Sequence, residues 1–412
     1  RGKLSLFNAA ANLMRSVCAL ILARRLDQGP DVAIREMAAH RNDRHLRLRS
    51  KAGRRLPPLR FGPASRAHLN EALIANIAKG KWPMLEGLKI VEMATYVAAP
   101  GAGGIMADWG ADVIKVEPPG GDPIRMFFSS LGVEEMENPV FDMDNRGKRG
   151  VVLDTSKPAG REALLRLIDG ADIFLTNVRP GGLARAGLDP ESVMKRRPQL
   201  IYTTLTGYGL EGPDADRPGM DQAAFWARSG LAAMFRPKGG DPVMLRTAFG
   251  DHVASLAIVG AVMAAVYERQ QTGRGRLIDA SLLRAAHYAG STDLAIQHTR
   301  GRIASNRPRQ NAPNPLINYF QTGGGRWISL LQRQGEKDWP KLARALKIEH
   351  LVSDPRFANG RARRENGAQL VPLLDEAFAG REFDDIAAAL DAEEMIWAPV
   401  LTAAESIADP QA

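Results

Sequence analysis

A single cysteine, Cys18, stands in 412 residues, which excludes a disulfide framework. Histidine is scarce as well. His40, His45, His68, His252, His287, His298 and His350 show no metal-ligand spacing, so metal-free chemistry in a reducing, cytoplasmic setting is the default expectation. Long apolar runs are missing: the longest, Val253 to Tyr267, has 15 residues and includes a serine, short of the roughly 20 that cross a bilayer. It reads as a buried core helix, and no membrane partner is expected.

Acidic residues are depleted in one region only. Residues 1–83 carry 17 Lys and Arg against 5 Asp and Glu, a net +12, whereas the remainder carries 38 against 41. The overall +9 therefore belongs to the first fifth of the chain and is not a general signal for nucleic acid. This basic stretch has no sustained helical or strand period and lacks interleaved aromatics. It reads as a disordered or non-native extension, for which a translated upstream region, an organelle targeting peptide and a basic arm are the competing accounts.

What is present from Met84 onward is regular. Short β-rich runs at Leu88–Met93, Asp112–Glu117, Gly150–Asp154, Asp172–Thr176 and Leu200–Thr204 are bounded by Gly, Pro or Asp. Helical stretches at Gly101–Trp109, Pro158–Ile168 and Gly181–Arg196 lie between them, and Gln222–Phe235 and His252–Gln270 follow, the last stopped by Thr272-Gly273. Alternating strand and helix predicts an α/β fold with a doubly wound, largely parallel sheet of Rossmann type. Beyond Asn311 the texture changes to a hairpin, Asn318–Thr322 against Arg326–Leu330, around Gly323-Gly324-Gly325, followed by helices rich in Ala and Leu. Residues 84–290 are thus expected to form a large α/β domain and 291–412 a linker with a small α+β domain.

An ordered series of short stretches carries a resemblance. It comprises Leu85-Glu-Gly-Leu-Lys-Ile-Val-Glu92, Gly110–Asp122 with its Glu117-Pro-Pro-Gly-Gly-Asp122, Asn145-Arg-Gly-Lys148-Arg149, Asn177-Val-Arg179-Pro-Gly181, Thr206–Gly209 with Gly212-Pro213, Arg217-Pro-Gly-Met-Asp221 and Thr272–Asp279. Together they resemble the class III CoA-transferase family, of formyl-CoA, carnitine-CoA and bile-acid CoA-transferase type. The resemblance is specific over residues 84–290, weaker to the end, and does not cover residues 1–83. It implies two chains threaded through each other as an interlocked homodimer. It also implies a C-terminal return to the large domain, so a chain ending at Ala412 is expected to be truncated before that return.

The implied reaction moves CoA between an acyl-CoA and a free carboxylic acid. The thioester is conserved, so no cofactor beyond the CoA substrate is expected. A carboxylate can serve as nucleophile, and an aspartate, ordinarily ionised at neutral pH, needs no general base. Asp221 matches the family's catalytic position; read by position alone, it caps the helix that follows. By resemblance Val97 and Ala99, in the loop Tyr96–Gly104, lie against CoA, while Lys148, Arg149, Arg179 and Arg185 meet its phosphates with Asn177 as partner. Each of these cations taken singly is an ordinary surface charge. The formyl-CoA branch has a His and a Gln where Tyr96 and Ala98 stand here, so its substrate is not carried over. Phe225–Gly230 and Gly250-Asp251-His252 resemble members acting on aryl or other bulky acyl-CoAs.

Three other functions compete. Acyl-CoA racemases of the same fold use two bases, but no His lies between His68 and His252 to partner Asp221. A basic nucleic-acid-binding protein acting through residues 1–83 and an idle CoA-binding module are the alternatives of another class. His252 beside Asp251 resembles a dyad but suits a packed, capped histidine equally. Gly323-Gly324-Gly325 reads as the hairpin turn rather than as a loop closing over the aspartate.

Overall fold

The computed structural model describes residues 84–132, 138–333 and 335–412. The basic stretch 1–83, expected to be an extension outside the fold, lies outside the described residues. Six strands form one parallel sheet: β1 (Lys89–Met93), β2 (Asp112–Glu117), β3 (Arg149–Val152), β4 (Ile173–Thr176), β5 (Ile201–Thr206) and β6 (Leu277–Ser281), in the order β3-β2-β1-β4-β5-β6. Strand β4 is buried along its whole length and β5 at all but its last residue, as parallel strands covered on both faces must be. Neighbouring side chains serve opposite faces: Ile90, Ile173 and Ile201 enter one core, Val91, Phe174 and Tyr202 the other. On the second face Phe174 meets Tyr202 edge to face at 5.2 Å, and the Tyr202 hydroxyl donates to the Leu188 carbonyl at 2.6 Å.

The helices follow from local signals. Helix α1 (Ala98–Asp108) is built largely of small residues, and its Ala98, Ala99, Gly101, Ala102, Gly103 and Gly104 are all buried. That smallness is required: a Cβ at Gly101 would stand 2.7 Å from Ser255 Oγ, and one at Gly103 would overlap the Glu92 carboxylate. Helix α2 (Pro139–Asn145) is capped by the Asn138 side chain. Helix α3 (Pro158–Asp169) starts on a proline. The single helix expected over 181–196 is instead two, α4 (Pro180–Ala186) and α5 (Pro190–Arg196). Gly187, at φ 66°, ends the first and Asp189 caps the second.

The helix expected over 222–235 is also divided. Asp221–Ala227 is a π-helical turn; Gly230, at φ 91°, then separates it from the short α6 (Leu231–Phe235). Helix α7 (Phe249–Thr272) is longer than its apolar run and ends at Gly273 in the left-handed region. By length and composition alone α7 could cross a bilayer. Its Ala254, Ile258, Val259, Val262 and Ala265 face is packed into the first core, and Ser255 Oγ donates to the Ala98 carbonyl of α1. Helix α8 (Leu282–Ala289) follows β6, capped by Ser281.

A separate core lies in residues 316–397, around the antiparallel sheet β7 (Ile317–Gln321), β8 (Trp327–Leu331) and β9 (Trp397–Pro399). Phe320 of β7 stacks on Phe378 at 4.6 Å. The glycines 323–325 form the β7–β8 turn, with Gly325 at φ 80°.

Candidate active site

In a doubly wound sheet the crevice lies beyond the carboxyl ends of the strands, where the strand order reverses. Here that point falls between β1 and β4. One side chain closes it: Asn177, just after β4, accepts from the Thr95 N–H at 3.0 Å and donates to the Thr95 carbonyl at 2.7 Å. The segment leaving β1 is therefore held as if paired to another strand. It turns sharply at Tyr96, whose φ of 64° is a left-handed conformation unusual for an aromatic residue. The Tyr96 N–H is anchored on Asp122 Oδ1 at 3.0 Å.

That anchor belongs to a buried charge network. Lys115 bridges Asp122 at 2.9 Å and Glu92 at 3.2 Å and also donates to the Ala94 carbonyl. Burial alone would lower the Lys115 pKa, but the two carboxylates reverse this and raise it. Asp122 N in turn donates to Glu117, which pairs with Arg125 at 2.7 Å.

Above this floor lies a cavity of about 370 Å³. Tyr96, Val97 and Ala98 form one side, Asn177 and Arg179 a second, and Leu205 to Gly207 with Met220 and Asp221 a third. Asp221 opens the π-helical turn and is 8% exposed. Its Oδ1 accepts from the Gln222 N–H at 2.7 Å, while Oδ2 is buried without a hydrogen-bond partner among the described residues. The expected capping role is not met: Met220 stands at the N-cap position without a side-chain cap, and Asp221 is the first residue of the turn, accepting only from its immediate neighbour. A buried carboxylate oxygen left unpaired is costly in a merely structural site. The first turn of α1 ends at the same cavity, and a helix start offers N–H groups without intrahelical acceptors.

Of the residues singled out in the sequence, Val97, Asn177, Arg179 and Asp221 come together here. Four others stand elsewhere. Ala99 is fully buried in α1, and its neighbour Ala98 takes the cavity wall. The Lys148 ammonium is sealed beneath α1 on Glu92 at 2.8 Å, the Pro100 carbonyl at 2.8 Å and Asn145 at 3.0 Å, which occupies all three of its donors. Arg149 lies on edge strand β3, paired with Asp112 at 2.7 Å, and Arg185 is in the last turn of α4, outside the cavity lining.

His252 does not pair with Asp251. Its Nε2 meets Asp144 of α2 at 3.3 Å, a hydrogen bond that raises the imidazole pKa. Asp251 instead faces the cavity beside Asp221. That juxtaposition leaves no signal in local spacing, since it depends on how α7 meets the π-helical turn.

Known proteins resemble this chain in sequence and in fold. The model of CoA-transferase family III matches residues 85–412. The chain belongs to CoA-transferase family III. It is 33% identical over 334 residues to the (R)-2-hydroxy-4-methylpentanoate CoA-transferase of Clostridioides difficile, covering 80% of this chain and 82% of that protein. It is 34% identical to the cinnamoyl-CoA:phenyllactate CoA-transferase of Clostridium sporogenes, over 66% of this chain and 67% of that one. The crystal structure of a CAIB/BAIF family protein from Brucella suis superposes with a TM-score of 0.71 at 32% identity, covering 79% of this chain and 86% of the other. As a member of CoA-transferase family III the protein is an enzyme of CoA transfer and acyl-CoA metabolism, on the mixed α/β fold expected from its strand and helix pattern.

Proposed function

We propose that this CoA-transferase works through a covalent intermediate on Asp221. An oxygen of Asp221 attacks the acyl-CoA carbonyl; the C–S bond breaks, giving a mixed anhydride and the CoA thiolate. The thiolate then attacks the aspartyl carbonyl, releasing the first acid as its carboxylate and leaving an enzyme thioester. The acceptor carboxylate reverses the sequence. No ATP or metal enters this balance. The observation that carries the reading is the unpartnered, buried Oδ2 of Asp221 at the cavity beside the strand-order reversal.

Arg179 is assigned to a CoA phosphate, and Lys148 to holding the Pro100 backbone in the first turn of α1. The walls include Val97, Ile124, Phe127, Leu205, Met220 and Leu282, which favours a branched or aryl acyl group. The names of the two relatives above point the same way. An interlocked homodimer is part of the proposal: Leu256 and Tyr288 are 65% and 84% exposed, an apolar surface that a second chain would cover.

The test is a panel of acyl-CoA esters, including cinnamoyl-CoA and succinyl-CoA, incubated with phenyllactate, 2-hydroxy-4-methylpentanoate and glutarate and read by mass spectrometry. Asp221→Ala should abolish exchange and retain CoA-ester binding. Hydroxylamine should trap the intermediate on the peptide containing Asp221 of the wild type. Near-normal exchange by Asp221→Ala would overturn the mechanism.

A further inference from the structure

The cavity holds a second carboxyl that this scheme leaves idle. Asp251 sits in the first turn of α7, half-buried, and lines the cavity together with Asp221. Among the described residues its carboxyl has no hydrogen bond or ion pair. Burial disfavours its charged form, the Asp221 carboxylate disfavours it further and Asp144 adds to both, outweighing His252; the Asp251 pKa is pushed up to about 7.

The charged groups around it are accounted for. The π-helical turn contributes Asp221, and α2 contributes Asp144, which already holds the His252 ring. The first turn of α1 has no ionisable side chain, while Arg284 of α8 is bound to Asp279 of β6 at 2.6 Å. Arg179 and Arg217 lie in the cavity wall, and Arg217 is within 3.4 Å of Asp214.

Neither nucleophile in the transfer carries a proton, so a second carboxylate would have no base work to do. A carboxylic acid would. We propose that Asp251 acts as a neutral carboxyl group, donating a hydrogen bond to the carbonyl oxygen that turns into an oxyanion when the tetrahedral adduct forms at Asp221. The proton stays on Asp251 throughout: the hydrogen bond strengthens as charge builds on the oxygen and relaxes when the adduct collapses. Ionised Asp251 would place a negative charge beside that oxyanion. The proposal rests on the Asp221 reading.

The experiment compares wild type, Asp251→Asn, Asp251→Ala and Asp221→Ala in the full chain, using the fastest pair from the panel above, from pH 5.5 to 9. Wild-type kcat/KM should fall about tenfold per pH unit above about 7. Asp251→Asn keeps a donor that cannot ionise, so its profile should lose that limb. Asp251→Ala, with wild-type thermal stability as its control, should lose on the order of 100-fold below about pH 7 and show a flat profile that the falling wild type approaches by about pH 9. An unchanged alkaline limb in Asp251→Asn, with Asp221→Ala inactive, would overturn the role of Asp251 alone. Activity in Asp221→Ala, or no exchange with any pair, would overturn the underlying mechanism.

Discussion

Gly250 lies directly against the Phe225 ring. A Cβ there would overlap the ring and stand 2.8 Å from the Cβ of Phe225. Nothing larger than glycine lets the start of α7 reach the π-helical turn this closely, and this approach sets Asp251 beside Asp221. Gly250→Ala should therefore force the two segments apart. A destabilisation of about 1–3 kcal/mol is expected from overpacking, measured by urea denaturation. CoA exchange should fall more than the lost folded population explains; a fully active, equally stable Gly250→Ala would refute the packing argument.

Lys115 offers a test of the cavity floor. Its side chain is 2% exposed and serves both Glu92 and Asp122. Lys115→Met leaves Asp122 facing Tyr96 without its cation, and removing one partner of a buried pair costs about 3–5 kcal/mol. The variant should show this loss in denaturant midpoint at unchanged m-value. A stability within 1 kcal/mol of wild type, on that same scale, would mean that Lys115 is dispensable to the floor.

Arg179 lines the cavity at the start of α4 and is the cation we assign to a CoA phosphate. Arg179→Ala should raise KM for the acyl-CoA by about tenfold with kcat little changed, since a phosphate contact remote from the reacting carbon binds ground and transition states alike. The wild-type KM should also rise with ionic strength, and the variant's less so. A drop confined to kcat would place Arg179 nearer the chemistry than the phosphate.

Much of the sheet was legible in the sequence because its strands are apolar runs with sharp stops. Ile173–Thr176, fully buried, lies within the run Asp172–Thr176, and Asp112–Glu117 has the same limits in both. Strand β6 escaped because Leu-Ile-Asp-Ala-Ser has no pattern of its own and takes its shape from pairing with β5. The division at Gly230 escaped because a glycine inside a helical pattern is ordinarily tolerated. The resemblance singled out Asp221, Val97, Asn177 and Arg179, and these four line one cavity. Lys148 was misleading: the same residue type suits a phosphate and a buried carboxylate, and only the position of Glu92 under α1 distinguishes them. Asp144 and Asp251 come from segments more than 100 residues apart, so their meeting near His252 left no trace in local spacing.

The sealing of Glu92, Lys115 and Asp122 beneath the loop has a consequence for how such a protein can diversify. The conformation of Tyr96 is fixed by ions outside the cavity lining, while the apolar walls come from separate segments at the ends of β1, β2, β5 and β6. Altering Phe127, Met220 or Leu282 would reshape the acyl compartment without disturbing the anchor beneath it. Appetite for different acids can thus drift by single replacements, each tolerated because the foundation is indifferent to the guest.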